Sequence, residues 1–564
     1  MSTATAGFTP AGARSTATRV RVTSTLGALL RQRLRRDRWQ LLIWVLAIGA
    51  LAAFSAESIE QTYGSAAART QLIQLAIANP TILVLRGIPQ GAGVAALTFF
   101  EIYTFIALMA GLMNTFLAVR HSRAEEEQGR AELVAATPAG RLLPTTATVV
   151  HATVANILLA VVTGLGFVAA GLPVGGSFVA GAATGGAGLA FFGVGLLFAQ
   201  VFSTSRGSNG FAAAVVVLAY VVRGIGDATA TTVGDGLRMR SAWPSWLSPI
   251  GWGEQTGAYT ADDLRPVLLQ VAFAAVLVAG VFALQAVRDS GAGLIASRAG
   301  RADASRRLGG AFGLAWRLQA PTVLGWTIGG ALGGLLAGAL GSVVNSSLAQ
   351  NPDLAGIREA MRRIGAGGSG PLTSLFISAI LSIVGVLAAA AAVQAVIRLR
   401  QEEASGTAEL MLATPLSRVR WLLSFLAVGA IAVVLVLLAA AVAAGLSAVS
   451  AGESVTTIGD SFSAALAQSP VALVYLGVLA LVFVVLPSWT APVGWAALGV
   501  GAFVGIFGGL VQLPEWLRHL SPFADAPVVV GDVDWTGGYW MLGITVAALA
   551  GAAVLIRRRD LALG

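Results

Sequence analysis

The chain holds 564 residues, 56% of them hydrophobic and 11% charged, with a net charge of +9 and a mean hydropathy of +0.79. Soluble domains carry about a quarter charged residues, so an ordinary soluble protein is excluded; the absence of cysteine also excludes disulfides, thiolate metal sites and cysteine nucleophiles. All 36 basic residues are arginine, which excludes a P-loop, whose lysine reaches the nucleotide phosphates, and a lysine Schiff base. If ATP drives this protein, another polypeptide hydrolyses it.

In chain order, residues 1–28 are rich in Ser, Thr, Ala and Gly and read as a disordered tail. A bilayer span takes about 20 mostly apolar residues. Such runs lie near 39–57, 97–119, 144–170, 178–202, 210–224 and 264–287, within a first half over 29–289. An arginine-rich linker, 290–313, leads to a second half over 314–564. Its runs lie near 321–341, 372–397, 420–448, 470–486, 490–511 and 539–556, with Pro487 and Pro492 interrupting the region 470–511. The expectation is an all-α integral membrane protein with twelve transmembrane helices. No small-residue cleavage site follows the first run, so it is read as a retained span. The arginines cluster at the ends of apolar runs, as in RQRLRRDRW, Arg120 to Arg141, Arg398 to Arg420 and the closing RRRD. Alternating spans put these on one side, which positive-inside makes the cytoplasm, with both termini there. The same distribution argues against nucleic acid as a partner. Heavy use of Ala, Gly, Val and Arg without Lys points to a GC-rich bacterial genome, hence a bacterial plasma membrane.

One charged segment occurs twice. EEEQGRAELVAATPAGR, Glu125 to Arg141, aligns with EEASGTAELMLATPLSR, Glu402 to Arg418, at an offset of 277 residues. Arg35 and Trp44 match Arg317 and Trp326, WPSWLSP (243–249) matches LPEWLRHLSP (513–522), and Arg288-Asp289 matches Arg559-Asp560. The halves are therefore duplicated six-helix units. Six is even, so they are parallel repeats related by a pseudo-two-fold axis along the membrane normal.

Within the repeat, Ala124 to Ala136 reads as one short helix ended by Thr137-Pro138, because the residue before proline avoids the α region. Glu125, Gly129, Glu132 and Ala136 would share an acidic face, repeated by Glu402, Gly406, Glu409 and Ala413. Glycine costs a helix about 1 kcal/mol, and its retention in both copies points to close approach by a partner's backbone. The competing reading is solvated glutamates that neutralise nearby arginines. Catalysis by these carboxylates is not expected: no metal-ligand spacing and no apolar pocket accompany them, and no metal ligands are assigned.

The paired E-E-x-x-G-x-A-E-L-x-x-A-T-P-x-x-R segments, the twelve spans and the Arg-Asp ends resemble ABC-2-type ABC transporter permeases. The type is the actinobacterial exporter of polyketide antibiotics, or tetronasin-resistance type, and the resemblance covers essentially the whole chain. It implies an ABC-2, type V exporter-like fold in one fused permease, served by two copies of a separate ABC ATPase that binds ATP and Mg. The chain itself would bind no cofactor. In that family the loop after the second span of each half carries the ATPase-coupling helix. This assigns coupling to Glu125, Glu126, Gly129, Glu132, Leu133, Thr137, Pro138 and Arg141, and to Glu402, Glu403, Gly406, Glu409, Leu410, Thr414, Pro415 and Arg418. Reversing Glu126 and Glu403 is then expected to abolish docking. The resemblance also implies connecting helices at Leu29–Gln40 and Leu308–Gln319, where a plain basic anchor at the lipid headgroups is the alternative. It implies re-entrant helices within Trp243–Tyr259 and Pro514–Val530. There Trp243, Trp246, Pro249, Trp516 and Pro522 are candidates for an outer gate or simple interfacial anchors. Segments 58–96 and 342–371 contain helix-like stretches suited to an outer cap.

Ionisable residues are nearly absent from the middle of the spans; Glu101 and His151 lie near span ends. This argues against a proton-coupled antiporter, since intramembrane charges usually mark ion pathways. Asn114, Phe116, Asn156, Phe198, Gln200, Gln394 and Phe483 are candidates to line a path, or are polar and aromatic glue between helices. The favoured reading is the permease of an ATP-driven exporter of hydrophobic or amphiphilic drugs and polyketide-like compounds. A proton-coupled multidrug antiporter and a non-transporting membrane scaffold or sensor are the alternatives.

Overall fold

The computed structural model describes residues 11–135, 140–288, 291–295, 310–350, 372–507, 514–529 and 533–559. Among them, 12 helices are long and apolar enough to cross a membrane. Spans 1 to 6 are Thr25–Thr62, Val94–Glu127, Leu143–Ala169, Val174–Val201, Ser205–Ala228 and Arg265–Val287. Spans 7 to 12 are Ala311–Gly341, Thr373–Ala404, Arg418–Ser450, Thr456–Val485, Pro487–Ile506 and Thr536–Leu555. The protein is an all-helical, multi-pass integral membrane protein, as lipid requires of a chain that must satisfy its backbone internally. It divides into two compact units, Met1–Ala299 and Gly300–Gly564.

Small residues decide which helices meet. In the first unit, span 4 packs on spans 2, 3 and 6. Its Gly185 and Gly195 lie against the backbone of Asn156 and Thr115, where a Cβ would force those helices apart. In the second unit, Gly330, Gly334 and Gly338 of span 7 repeat every four residues. They face the carbonyls of Val436, Ala440 and Ala444 on span 9. Without a hydrophobic driving force between helices in lipid, such small-residue seams are where association arises.

Several elements differ from expectation. The first helix begins at Ala11, so 11–28 is helical rather than disordered. A helix anchored in the membrane needs no new nucleus to extend, and alanine favours it. Residues 1–10 lie outside the described residues. Leu29–Gln40 is the continuous start of span 1 instead of a separate connecting helix. Residues 311–319 open span 7 in the same way; Leu308 lies outside the described residues, as does most of the linker. Span 5 is longer than 210–224 at both ends, starting at the capped Ser205 and continuing past Arg223 through the buried Asp227. Span 10 begins at Thr456. Pro487 ends it as expected, whereas Pro492 sits early in the helix Thr490–Ala502, where a proline removes few hydrogen bonds.

Segment 58–96 folds into helices Ala66–Ala78 and Pro80–Arg86; of 342–371, residues 351–371 lie outside the described residues. Between spans 5 and 6 come a hairpin, Thr231–Val233 with Arg238–Arg240, a tight turn, Trp243–Leu247, and the short helix Pro249–Glu254. Among the described residues, the corresponding stretch of the second unit has a short helix, Glu515–Arg518, and a bridge between Val528 and Asp534.

Candidate functional site: two latched elbows

The repeated segment is an elbow instead of one helix. In the first unit a short helix, Arg123–Glu127, ends at Gln128, and a second, Arg130–Ala135, leaves at a new angle. In the second unit the helix Leu372–Ala404 runs straight into the elbow before Thr407–Leu412 begins. The hinge is Gly129 at φ +68° and Gly406 at φ +75°. Nothing lies within 4 Å of where a Cβ would sit on either. The left-handed backbone that ends a helix is one reason for glycine at both positions.

The acidic face is also corrected, since the paired glutamates turn inward. Glu125 accepts hydrogen bonds from Arg36 and from Arg130, the latter at 2.8 and 3.0 Å. Its carboxylate holds the exposed Arg130 guanidinium above its ordinary pKa. Glu126 accepts from Arg123 at 2.7 Å and from Arg288 at 2.6 Å. In the second unit Glu402 accepts from the Thr407 hydroxyl at 2.6 Å and pairs with Arg398. Glu403 pairs with Arg559, with Arg400 at 3.6 Å. The last residue of the motif completes the arrangement: Arg141 donates to the Arg288 carbonyl, and Arg418 donates to the Arg559 carbonyl. Each unit thus closes a latch between its elbow and the end of its sixth span. Arg123 adds hydrogen bonds to the carbonyls of Ala199, Gly291 and Ala292.

With the charges turned inward, each elbow presents a Glu-Leu pair outward. Glu132 and Glu409 are exposed, and Leu133 and Leu410 are 72% and 76% exposed. Thr414 and Pro415 are exposed as well; Thr137 and Pro138 lie outside the described residues. Behind the first elbow is a cavity of ≈ 650 Å³, lined among others by Arg33, Arg36, Glu125, Arg130, Arg141 and Arg288. The arginine partners of the glutamates were missed in the sequence, although Arg288 and Arg559 were already visible as paired landmarks.

The path candidates do not converge. Asn114 and Asn156 exchange hydrogen bonds at 3.0 and 2.6 Å, tying span 2 to span 3. Gln394 accepts from the Trp326 indole at 2.6 Å. Phe483 is buried beside Trp421 and under Arg559, and Gln200 is buried. Phe198 stacks on Phe202, and Phe116 lies at the protein surface. The contacts of Asn114, Asn156, Gln394, Phe483 and Phe198 are those of helix-packing residues. Of the gate candidates, Trp243, Trp246 and Trp516 are 74%, 48% and 69% exposed and Pro249 is buried. Pro522 lines an apolar cavity of ≈ 370 Å³ with Val393, Tyr475, Leu479, Gly501 and Leu520.

At the end of the first unit opposite its elbow lies a polar cluster that sequence reading overlooked. Arg223 and Asp227 of span 5 are fully buried at 3.1 Å from each other, and Glu254 is 3.3 Å from Arg223. Thr104 donates to Glu254 at 3.0 Å, and Ser241 and Ser245 donate to Asp227 at 2.6 and 2.7 Å. Arg86 pairs with Glu101 nearby. Burial, with Asp227 adding like charge, pushes the Glu254 carboxyl well above the usual range. Arg223 and Asp227 sit one or two turns from the end of span 5 and Glu254 lies between spans 5 and 6, so the cluster leaves the middle of the spans nearly free of charge, as expected.

Twelve apolar helices and two inward-latched elbows define a polytopic membrane protein with no nucleotide-binding loop of its own. Residues 308–557 match the family model described as the multidrug efflux system permease Rv1217c, C-terminal domain. The chain is 35% identical over 558 residues to the multidrug efflux system permease protein Rv1217c of Mycobacterium tuberculosis (strain ATCC 25618 / H37Rv), covering 98% of each chain. It belongs to this family of multidrug efflux system permeases and is a transporter component.

Proposed function

We propose that the chain is the fused membrane permease of an ATP-driven exporter of the ABC-2, tetronasin-resistance type, in a bacterial plasma membrane with both termini and both elbows in the cytoplasm. The carrying observation is the duplicated elbow, held at its base by the latch and bearing an exposed Glu-Leu tip in each unit. Two docking sites suit two copies of a separate ABC ATPase, which would bind ATP and Mg; a chain without lysine must borrow that activity. The tips, Glu132-Leu133 and Glu409-Leu410, are the contact residues under this reading. Glu125, Glu126, Glu402 and Glu403 position them. Reversing Glu126 and Glu403 would therefore break the latch itself, and docking is tested better at the leucines. The relative's multidrug role and the apolar cavity beside Tyr475 and Pro522 support hydrophobic or amphiphilic drugs as cargo, surrounded by membrane lipid.

The test is ATP hydrolysis and drug transport in lipid nanodiscs, by the chain alone and with the ABC ATPase encoded nearest to it. The expected result is silence alone, drug-stimulated hydrolysis in the complex, and loss of both in Leu133→Arg with Leu410→Arg. The buried Asp227–Glu254 cluster favours one competing reading, a proton-driven antiporter. Transport that collapses with the proton gradient and ignores ATP would establish that reading instead.

A further inference from the structure

Asp37 of span 1, His121 at the elbow end of span 2 and His151 of span 3 meet behind the first elbow. They are 1%, 4% and 2% exposed. Both imidazoles direct the same nitrogen, Nε2, at the same carboxylate oxygen, Asp37 Oδ2, His151 at 3.2 Å and His121 in direct contact. The rings stand edge to face with centroids 5.4 Å apart, and the three candidate ligand atoms all lie within 4.8 Å of one another. A zinc ion with bonds of 2.0–2.2 Å to nitrogen and oxygen holds its ligand atoms about 3.4 Å apart at tetrahedral angles, so small side-chain adjustments suffice to admit one.

We propose that Asp37, His121 and His151 form a binding site for a divalent first-row transition ion, zinc foremost, that ties together the ends of spans 1, 2 and 3 beside the elbow. Two neutral imidazoles and one carboxylate match the donor set of a three-ligand zinc site with water in the fourth position. Imidazole donors select transition ions over magnesium and calcium, which need several oxygens. The surroundings sharpen that selectivity. Arg120 lies 3.2 Å from Asp37 Oδ1, and Arg33 hydrogen-bonds Thr148 at 2.6 Å close by. Positive neighbours repel a cation held by charge alone, so only strong nitrogen coordination can retain one here. The site belongs to the first unit alone. The matching positions of the second unit are Gln319, Arg398 and Val428, which cannot form it.

The experiment uses the full chain in nanodiscs, purified on a tag without histidine and stripped with a chelator. Zn²⁺ uptake is counted by elemental analysis, and Co²⁺ substitution is read by its visible spectrum. The expectation is one ion per chain, a tetrahedral Co²⁺ spectrum, and no displacement by excess Mg²⁺. His121→Ala and His151→Ala should weaken binding by more than about 100-fold, beyond the range seen for loss of an outer-shell partner. His151→Cys, which supplies a thiolate ligand, should retain binding. His519→Ala, which removes the remaining histidine of the chain, should leave uptake unchanged. No uptake by the wild-type chain, or uptake lost only in His519→Ala, would overturn the proposal even if the alanine variants fail to fold.

Discussion

The two elbows carry the same motif and hold it differently. In the first unit the load is shared: Glu125 has Arg36 and Arg130, and Glu126 has Arg123 and Arg288, with Arg123 itself fastened to three backbone carbonyls. In the second, the Glu403 side chain is 1% exposed, against 15% for Glu126, and pairs with Arg559 and Arg400. Both units have the latch and the glycine hinge, and the first unit carries additional charge, both here and in the Arg223–Asp227–Glu254 cluster. Among the described residues of the second unit no buried group of Arg, Asp and Glu matches that cluster. The lesson is that the latch, the hinge and the outward Glu-Leu tip recur in both units, while the partners that hold the glutamates differ.

Removing the latch arginines should give the largest difference. Arg559→Ala leaves a buried carboxylate short of its main partner, a loss of about 3 kcal/mol. Arg288→Ala leaves Glu126 with Arg123 and partial exposure, a loss of about 1 kcal/mol. Thermal unfolding of the two variants side by side checks the order, and equal effects would remove the asymmetry. Next come the tips: Leu133→Arg or Leu410→Arg should each weaken ATPase docking by roughly 2 kcal/mol, about 30-fold, as for an interface hot spot, with thermal stability unchanged. Smaller still, Gly129→Ala and Gly406→Ala force a side chain into left-handed backbone and should each destabilise by about 1 kcal/mol. Similar values are expected because both hinges have open space around them.

The smallest effect concerns pH and the first unit alone. A Glu254 carboxyl whose pKa is raised on folding binds its proton more tightly in the folded chain than in the unfolded one. Its contribution is fully present below the ordinary carboxylate range and is lost as pH rises from there through the folded value. Glu254→Gln keeps the protonated shape, so its unfolding temperature should vary less over that window than that of the wild type. Identical pH profiles would show that Arg223 already neutralises Glu254.

Twelve spans and the duplicated motif were legible because hydropathy and repetition are written along the chain. The ends of span 5 were not legible because the polar residues there, Ser205 to Asn209 at its start and Asp227 at its end, break the apolar run, and the partners of Asp227, Ser241 and Ser245, are known only from the fold. The break at the elbow glycines was not legible because a periodicity argument assumes continuous helix, and a single positive φ breaks it. Partnerships such as Glu126 with Arg288, or Asp37 with His121 and His151, join residues far apart in sequence. Only folding brings them together. Asn114 and Asn156 illustrate the reverse: polar residues inside spans invite a functional role, and here they satisfy each other.

The central claim is that each elbow docks one ATPase, and counting them tests it most directly. Native mass spectrometry of the chain with its candidate ATPase should show two copies on the wild type, one on Leu133→Arg or Leu410→Arg, and none on the double variant. Two copies retained by the double variant, or none on the wild type, would contradict the account.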